Sequence, residues 1–150
     1  MMKRKTTAQW RTAFNAAGLR LTRQRLLICR ELEGRRDHPD VERLYRAVKP
    51  RLKQISVFTV YRTMNALENA GLAWRVATWR GHARYDANVE THGHFLCEKC
   101  GRIDDLDGGS VGAGFAAFAA AKGTVHRVEV KLSGECDACL AGARALPQEA

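Results

Sequence analysis

The stretch SVFTVYRTMNALENAGLAWRVATWRGHARYD (residues 56–86) decides the fold of the first half of the chain. Ser56 is a typical N-cap residue, and Gly71 stands where a glycine commonly ends a helix. Between them, four apolar residues follow at intervals of three or four, which predicts one buried helix face: Val57, Val60, Met64 and Leu67. Two segments rich in aromatic and β-branched residues come next, Leu72–Trp79 and His82–Tyr85, and the Arg80-Gly81 dipeptide between them predicts a β-hairpin.

Further helices are predicted upstream of this stretch. Residues 6–17 place Trp10 and Phe14 on one side of a helix, and Thr22 and Asp40 are candidate N-caps for two more. Helices followed by a hairpin are the pattern of a winged helix-turn-helix. In that fold, the helix before the hairpin is the candidate reader of the DNA major groove.

The charge of the chain is divided unevenly between its two halves. The net charge is +9, of which residues 1–84 carry +13 and residues 85–150 carry −4. A basic half next to an acidic half rich in Cys and His favours a nucleic-acid-binding domain joined to a metal-binding domain. The alternatives are a solvated basic face without a partner and a basic face that binds an acidic protein.

Composition argues against membrane and secreted proteins. No apolar run approaches the roughly 18–20 residues of a membrane span. The basic N-terminus lacks the apolar stretch of a signal peptide, since Gln9, Arg11 and Asn15 interrupt it. We therefore expect a cytoplasmic protein with no membrane partner, in which paired cysteines bind metal rather than form disulfides.

Four of the five cysteines form two Cys-x-x-Cys pairs, Cys97/Cys100 and Cys136/Cys139. Two such pairs supply the four thiolates of a closed tetrahedral zinc site. Zinc there would tie together the ends of a small domain, in which metal-binding energy is folding energy. A redox pair and buried free thiols are the alternatives. Cys29, which stands among Leu and Ile residues, is expected in the hydrophobic core.

The elements predicted around the cysteine pairs give the second half a mixed α/β composition. Two short strands, His94–Cys97 and Arg102–Leu106, flank the first pair, and Phe115–Lys122 is an alanine-rich helix candidate. Val125–Leu132 alternates apolar and polar residues, which predicts a half-buried strand. The whole chain is therefore expected to be an α+β protein.

Histidines and carboxylates close to the first cysteine pair suggest a second metal site. His92 and His94 alternate along a predicted strand, so both side chains point to one face. Asp86 precedes them, Asp105 follows, and His38 lies far away in sequence. Imidazoles and carboxylates suit a divalent first-row ion such as iron, manganese or zinc.

Basic and polar residues mark a candidate DNA-contacting surface. Thr59, Tyr61 and Arg62 lie on the predicted reading helix, where Arg can read guanine and Thr can contact base edges or phosphates. Arg20 and Arg23 are candidate phosphate contacts. The alternative is that Tyr61 packs internally and Arg62 is only a surface charge.

Several motifs together resemble the ferric uptake regulator (Fur) family. One group resembles the DNA-binding half of that family: Gly18–Arg25, His38 with Leu44-Tyr45, Thr59–Arg62 and Leu67–Leu72. A second group resembles its dimerisation half: His92–Gly101 and Gly134–Cys139. The chain is accordingly divided into a winged-helix DNA-binding domain (1–86), a hinge (87–90), an α/β dimerisation and metal-binding domain (91–140) and a flexible tail (141–150).

The resemblance implies a homodimeric, metal-sensing transcription regulator that binds a palindromic DNA operator. Structural zinc is implied on Cys97, Cys100, Cys136 and Cys139. A regulatory Fe(II) or Mn(II) is implied on His38, Asp86, His92, His94 and Asp105. Metal binding would favour a closed dimer whose two reading helices match the operator.

The metal-ligand motif most resembles the peroxide-sensing PerR branch, in which Asp stands at the position of Asp105 and iron sensors commonly carry Glu. That branch implies that Fe(II) reacts with hydrogen peroxide, that His38 or His92 is oxidised, and that the repressor then leaves DNA. Thr91, Gly93 and Val128 depart from residues that many members use for a further metal site, so that site is expected to be absent. The second hypothesis is an iron- or manganese-responsive Fur-type regulator without peroxide sensing. A zinc hydrolase using His92 and His94 and a cysteine redox switch are the hypotheses from other classes.

Overall fold

The computed structural model describes residues 4–107, 109, 123–124 and 128–143. The chain forms two compact units, Met1–Val89 and Glu90–Ala150. The helix predicted at Phe115–Lys122 and the segment beyond residue 143 lie outside the described ranges. Over the described ranges, no helix combines the length and the apolar character needed to cross a membrane.

Four helices make up most of the first unit: α1 (Thr7–Ala16), α2 (Arg23–Glu33), α3 (Val41–Val48) and α4 (Val57–Asn69). The residue before each helix accepts a hydrogen bond on its side-chain oxygen from the backbone N–H three residues later: Thr6, Thr22, Asp40 and Ser56. These bonds satisfy donors that the first turn of a helix leaves unpaired. The N-caps predicted for α2, α3 and α4 are confirmed.

The helices of the first unit enclose one hydrophobic core. Trp10 and Phe14 of α1 meet edge to face with ring centroids 6.0 Å apart, and they join residues such as Leu44 and Met64. Cys29 is buried in this core as predicted. Burial raises the pKa of its thiol to about 12, so it behaves as a small apolar side chain.

One prediction about the core is wrong. Val57 was expected on the buried face of α4 but is 41% exposed. The reason is that the first turn of α4 projects beyond the core, since Ser56 and Phe58 are exposed as well. The buried face of α4 begins at Val60 and continues through Met64 and Leu67.

A β-hairpin follows α4. Its strands, β1 (Trp74–Trp79) and β2 (His82–Asp86), pair antiparallel, with Trp79 opposite His82. Arg80 and Gly81 between them have φ values of 48° and 80°, as a two-residue type I′ turn requires. The hairpin completes the winged helix-turn-helix predicted from the sequence.

The second unit contains a three-stranded sheet and a short helix: β3 (Gly93–Cys97), β4 (Ile103–Leu106), β5 (Val130–Gly134) and α5 (Asp137–Leu140). The strand order is β4-β3-β5, with β4 antiparallel and β5 parallel to β3. The first two strands lie where they were predicted.

The last strand differs from the prediction of a half-buried strand at Val125–Leu132. Among the described residues it begins at Val130 and continues to Gly134, which pairs with Cys97. Val128 and Val130 are partly buried while Glu129 and Lys131 are exposed, as the alternation predicts, but Leu132 is 51% exposed. Backbone pairing with β3, rather than side-chain pattern, sets where this strand ends.

Candidate metal centres and DNA-reading helix

The four cysteines of the two Cys-x-x-Cys pairs meet at one end of the sheet in the second unit. Cys97 ends β3, and Cys100 lies in the turn that leads toward β4. Cys136 is the N-cap residue of α5, and Cys139 lies within that helix. The four Sγ atoms all lie within 4.8 Å of one another. The parallel pairing of β3 and β5 brings the two pairs together, although 35 residues separate them in sequence.

The distances between these sulfurs distinguish a metal site from disulfides. The Sγ atoms of Cys97 and Cys139 are 3.8 Å apart, and so are those of Cys100 and Cys136. A disulfide bond is about 2.05 Å long. Two thiolates bound to one tetrahedral zinc ion at ~2.3 Å lie about 3.8 Å from each other. The cluster therefore fits a closed, structural zinc site.

Backbone donors favour the thiolate form of Cys97. Burial opposes ionisation of its thiol, but hydrogen bonds from the backbone at Cys100, Cys136 and Lys99 outweigh this and lower its pKa to about 6. Burial together with the neighbouring thiols raises the pKa of Cys139 to about 12. Sulfurs this close cannot all carry negative charge without a cation among them.

In the first unit, the predicted ligands His38 and Asp86 face each other. Nε2 of His38 lies 3.7 Å from Oδ2 of Asp86, and both residues are buried. The other oxygen of Asp86 accepts a hydrogen bond from the backbone N–H of Asn88 at 2.8 Å, which fixes the carboxylate at the end of β2. An imidazole and a carboxylate held at this distance can share one divalent ion.

A residue that the sequence analysis did not single out holds the loop that carries His38. The guanidinium of Arg84, on β2, donates through Nε to the carbonyl oxygen of His38 and through Nη2 to that of Asp37, the latter at 2.6 Å. The backbone N–H of Tyr85 donates to the carbonyl of Pro39 at 3.1 Å. His38 has a φ of 46°, in the left-handed region that non-glycine residues rarely adopt. These bonds support that conformation. The only sign of this role in the sequence is the position of Arg84, two residues before the predicted ligand Asp86.

In the second unit, His92, His94 and Asp105 come together. His94 on β3 is directly opposite Asp105 on β4. His92 does not lie on the strand as predicted but directly before it, because β3 begins at Gly93. The Nε2 atoms of His92 and His94 nevertheless both lie 3.8 Å from Oδ1 of Asp105, and their rings are 4.4 Å apart.

The tautomer of His92 is set by its second ring nitrogen. Nδ1 of His92 lies 2.8 Å from the carbonyl oxygen of Glu90, so it carries the proton and donates. In the neutral ring, Nε2 would carry the lone pair, and this atom lies 3.8 Å from Oδ1 of Asp105. This is the arrangement in which histidine ligates a metal, since a carbonyl partner on one nitrogen orients the other.

The residues predicted to contact DNA lie in the first unit, where Arg20, Thr59 and Arg62 line one groove and Tyr61 lines another. Arg20 and Arg23 are exposed near the start of α2, and Arg62 is exposed on α4. Tyr61 is 48% exposed, so it does not pack internally. Thr59 is partly buried, and its hydroxyl lies 2.9 Å from that of Ser56, within the cap of α4. Their roles in DNA binding stay predictions.

A known protein family matches most of the chain. The sequence profile of the ferric uptake regulator family matches residues 16–132. The peroxide-responsive repressor PerR of Staphylococcus epidermidis is 36% identical over 90 residues, which are 60% of this chain and 60% of that protein. The aligned part thus spans less than two thirds of the relative.

Solved structures agree with this placement. A zinc-bound manganese uptake regulator superposes with a TM-score of 0.58 at 34% identity, over 82% of this chain and 96% of that one. The Campylobacter jejuni peroxide stress regulator superposes with a TM-score of 0.68 at 25% identity, over 89% of this chain and 97% of that one. These likenesses confirm the predicted fold class. The chain belongs to the ferric uptake regulator family.

Proposed function

We propose that this chain is a metal-dependent, DNA-binding transcriptional repressor that acts as a homodimer on a palindromic operator in the cytoplasm. The observation that carries the proposal is the convergence of His92 and His94 on one oxygen of Asp105, each at 3.8 Å. Two imidazoles and a carboxylate form a donor set for a divalent first-row metal. The basic first unit, with its exposed helix α4, supports DNA as the partner.

The proposed regulatory site takes five ligands: His38, Asp86, His92, His94 and Asp105. Each part of this donor set is assembled within its own unit, since His38 faces Asp86 and the other three residues converge on one another. An ion that bound both parts would restrict the segment between the units, the proposed hinge at 87–90. Metal binding would then favour the dimer arrangement that fits the operator.

We assign a peroxide response to the same ligands. The relative from S. epidermidis is a peroxide-responsive repressor. The resemblance of the metal-ligand motif to the PerR branch, with Asp at position 105, supports the same assignment. Fe(II) held by these residues would catalyse a reaction in which hydrogen peroxide oxidises a ligand histidine: one peroxide oxygen would pass to the imidazole ring, and the other would leave as water. His38 or His92 would gain an oxygen, and the oxidised ring would bind metal less well, so the protein would lose the metal and the operator. Mn(II) would support repression without this chemistry.

Structural zinc on the four cysteines has a separate role in this proposal. A site with four thiolates has no open coordination position, so it cannot activate water or bind a substrate. Its role is to join the β3–β4 turn to the β5–α5 segment. Four sulfurs already at the spacing of a zinc site argue against a redox pair that would act alone.

A regulator that responds to iron or manganese without sensing peroxide is the second candidate function. The likeness to a zinc-bound manganese uptake regulator at 34% identity favours it. Both candidates use the same ligands and the same DNA-binding surface. They differ in whether a ligand histidine is oxidised.

Operator binding with and without metal tests the shared part of the proposal. Zinc-loaded full chain, freed of regulatory metal, would first select duplexes from a randomised pool in Mn(II). Fluorescence anisotropy would then compare the affinity of wild type and His94→Ala for the selected duplex. We expect Mn(II) to tighten binding by wild type about tenfold or more and to leave His94→Ala unchanged. Equal wild-type affinity with and without Mn(II) would contradict the proposal.

A further inference from the structure

Three large apolar side chains are exposed at the start of α4. Val57 is 41% exposed, Phe58 62% and Tyr61 48%. Tyr61 is a predicted DNA contact, whereas none of the predicted roles involves Phe58. An aromatic ring costs free energy when it stays in water, at roughly 25 cal/mol per Å² of apolar surface. Phe58 is the most exposed of the three, so its ring is the most accessible to a partner.

The surroundings of Phe58 indicate what kind of partner binds there. Phe58 lines a groove between α2 and α4 together with Arg20, Arg25 and Arg62. The guanidinium of Arg62, one helical turn further along α4, lies 5.9 Å from the centroid of the Phe58 ring. Three arginines beside an exposed ring complement a polyanion that presents apolar groups between its charges. The DNA major groove, with its phosphates and thymine methyl groups, fits this description.

The hydroxyl groups in the same turn are already engaged. The hydroxyls of Ser56 and Thr59 lie 2.9 Å apart, and Ser56 also accepts from the backbone N–H of Thr59 at 3.1 Å. Phe58, between them in sequence, projects outward from a helix start that these bonds hold in place. Beside these hydroxyls, the phenyl ring of Phe58 is the large apolar group that this turn presents to a base edge.

We propose that Phe58 is a specificity-determining residue that contacts the 5-methyl group of a thymine in each half of the operator. The inference rests on the proposed function, in which α4 enters the major groove. Residues near the N-terminus of a reading helix commonly contact base edges. A phenyl ring distinguishes thymine from cytosine at such a position by the methyl group alone.

Removing single methyl groups from DNA tests this contact. In the duplex selected with Mn(II), each thymine would be replaced in turn by deoxyuridine, which keeps base pairing and lacks only the methyl. Anisotropy would measure the affinities of wild type, Phe58→Ala and the matched control Val57→Ala. A single replacement in one half-site should weaken wild-type binding about fourfold, as expected for one buried methyl. The same replacement should not weaken Phe58→Ala, and Val57→Ala should keep the wild-type sensitivity.

Several results would overturn the inference. Equal deoxyuridine sensitivity in wild type and Phe58→Ala, or none in wild type, would exclude the methyl contact. Loss of that sensitivity in Val57→Ala alone would assign it to the neighbouring residue. Altered dimerisation of Phe58→Ala in sedimentation, with unchanged base selectivity, would show a protein contact instead.

Failure of wild type to select any duplex would refute the proposed function itself, and this inference with it. Phe58 is exposed, so Phe58→Ala should retain zinc and the helical circular dichroism of wild type.

Discussion

Arg84 sets the geometry of the proposed metal ligand His38. Its guanidinium is buried and donates to two consecutive backbone carbonyls, those of Asp37 and His38. Burial lowers the pKa of this guanidinium, as does the nearby charge of Arg43. The charge is retained in a buried position because the carbonyl oxygens accept its hydrogen bonds. Arg84 is therefore a positioning residue for the ligand loop.

Replacement of Arg84 by Ala should weaken regulatory metal binding more than it destabilises the fold. Two carbonyls lose their donor, and the left-handed conformation of His38 loses its support. Partners outside the ligand shell typically change metal affinity by about 10–100-fold, so we expect an effect in that range on Mn(II) binding. Isothermal titration calorimetry would measure it. The matched control is Arg75→Ala, which removes an exposed guanidinium of the same hairpin that pairs with Glu68 at 2.8 Å.

A lowered melting temperature with unchanged Mn(II) affinity in Arg84→Ala would contradict the positioning role. It would assign Arg84 to the general stability of the first unit. Arg84→Lys offers a further check, because Lys keeps the charge but cannot donate to both carbonyls in the fixed geometry of a guanidinium.

At the scale of elements, the cysteine cluster connects the sheet of the second unit to α5. Among the described residues at that end, Cys97, Cys136 and Cys139 are buried and pack with partly buried Phe95. The backbone N–H of Cys136 also donates to Sγ of Cys97 at 3.3 Å. In the part of this unit that the structure describes, the buried residues of the cluster are the cysteines themselves, so the metal should supply most of the stability there.

Replacing Cys136 by Ser should remove zinc and unfold the end of the second unit. Structural zinc sites contribute about 10–16 kcal/mol of apparent binding energy, which a three-cysteine site would not retain. Zinc content by atomic absorption and circular dichroism would measure the effect. The control is Cys29→Ser, which lies in the core of the first unit and should keep one zinc per chain. Full zinc content in Cys136→Ser would contradict the assignment.

The elements that the sequence predicted well are those with local signals. The caps Thr22, Asp40 and Ser56 and the turn at Arg80-Gly81 act over a few residues, so each could be predicted from a short window. Strand β5 could not, because its extent depends on pairing with β3, far away in sequence. The role of Arg84 could not be predicted from a short window either, because its partners Asp37 and His38 lie more than 40 residues upstream. The exposure of Val57 depends on where the core ends, which periodicity does not reveal.

At the scale of the whole molecule, the positive charge is concentrated in one part of the chain, whereas the proposed metal ligands are distributed over both units. Residues 1–84 carry a net charge of +13, which would bind a polyanion, whereas residues 85–150 carry −4 and all the paired cysteines. Proposed metal ligands occur in both units. A regulator built this way responds when its metal site changes, although the DNA-binding surface itself stays the same.

Operator release after peroxide tests the central claim most directly. The dimer would be bound to its selected duplex with either Fe(II) or Mn(II) and given a low dose of hydrogen peroxide. Anisotropy would follow the DNA, and mass spectrometry of peptides would follow the histidines. We predict that the Fe(II) form releases DNA as His38 or His92 gains one oxygen, and that the Mn(II) form stays bound and unmodified. An Fe(II) form that keeps its DNA and its unoxidised histidines would contradict peroxide sensing by this site.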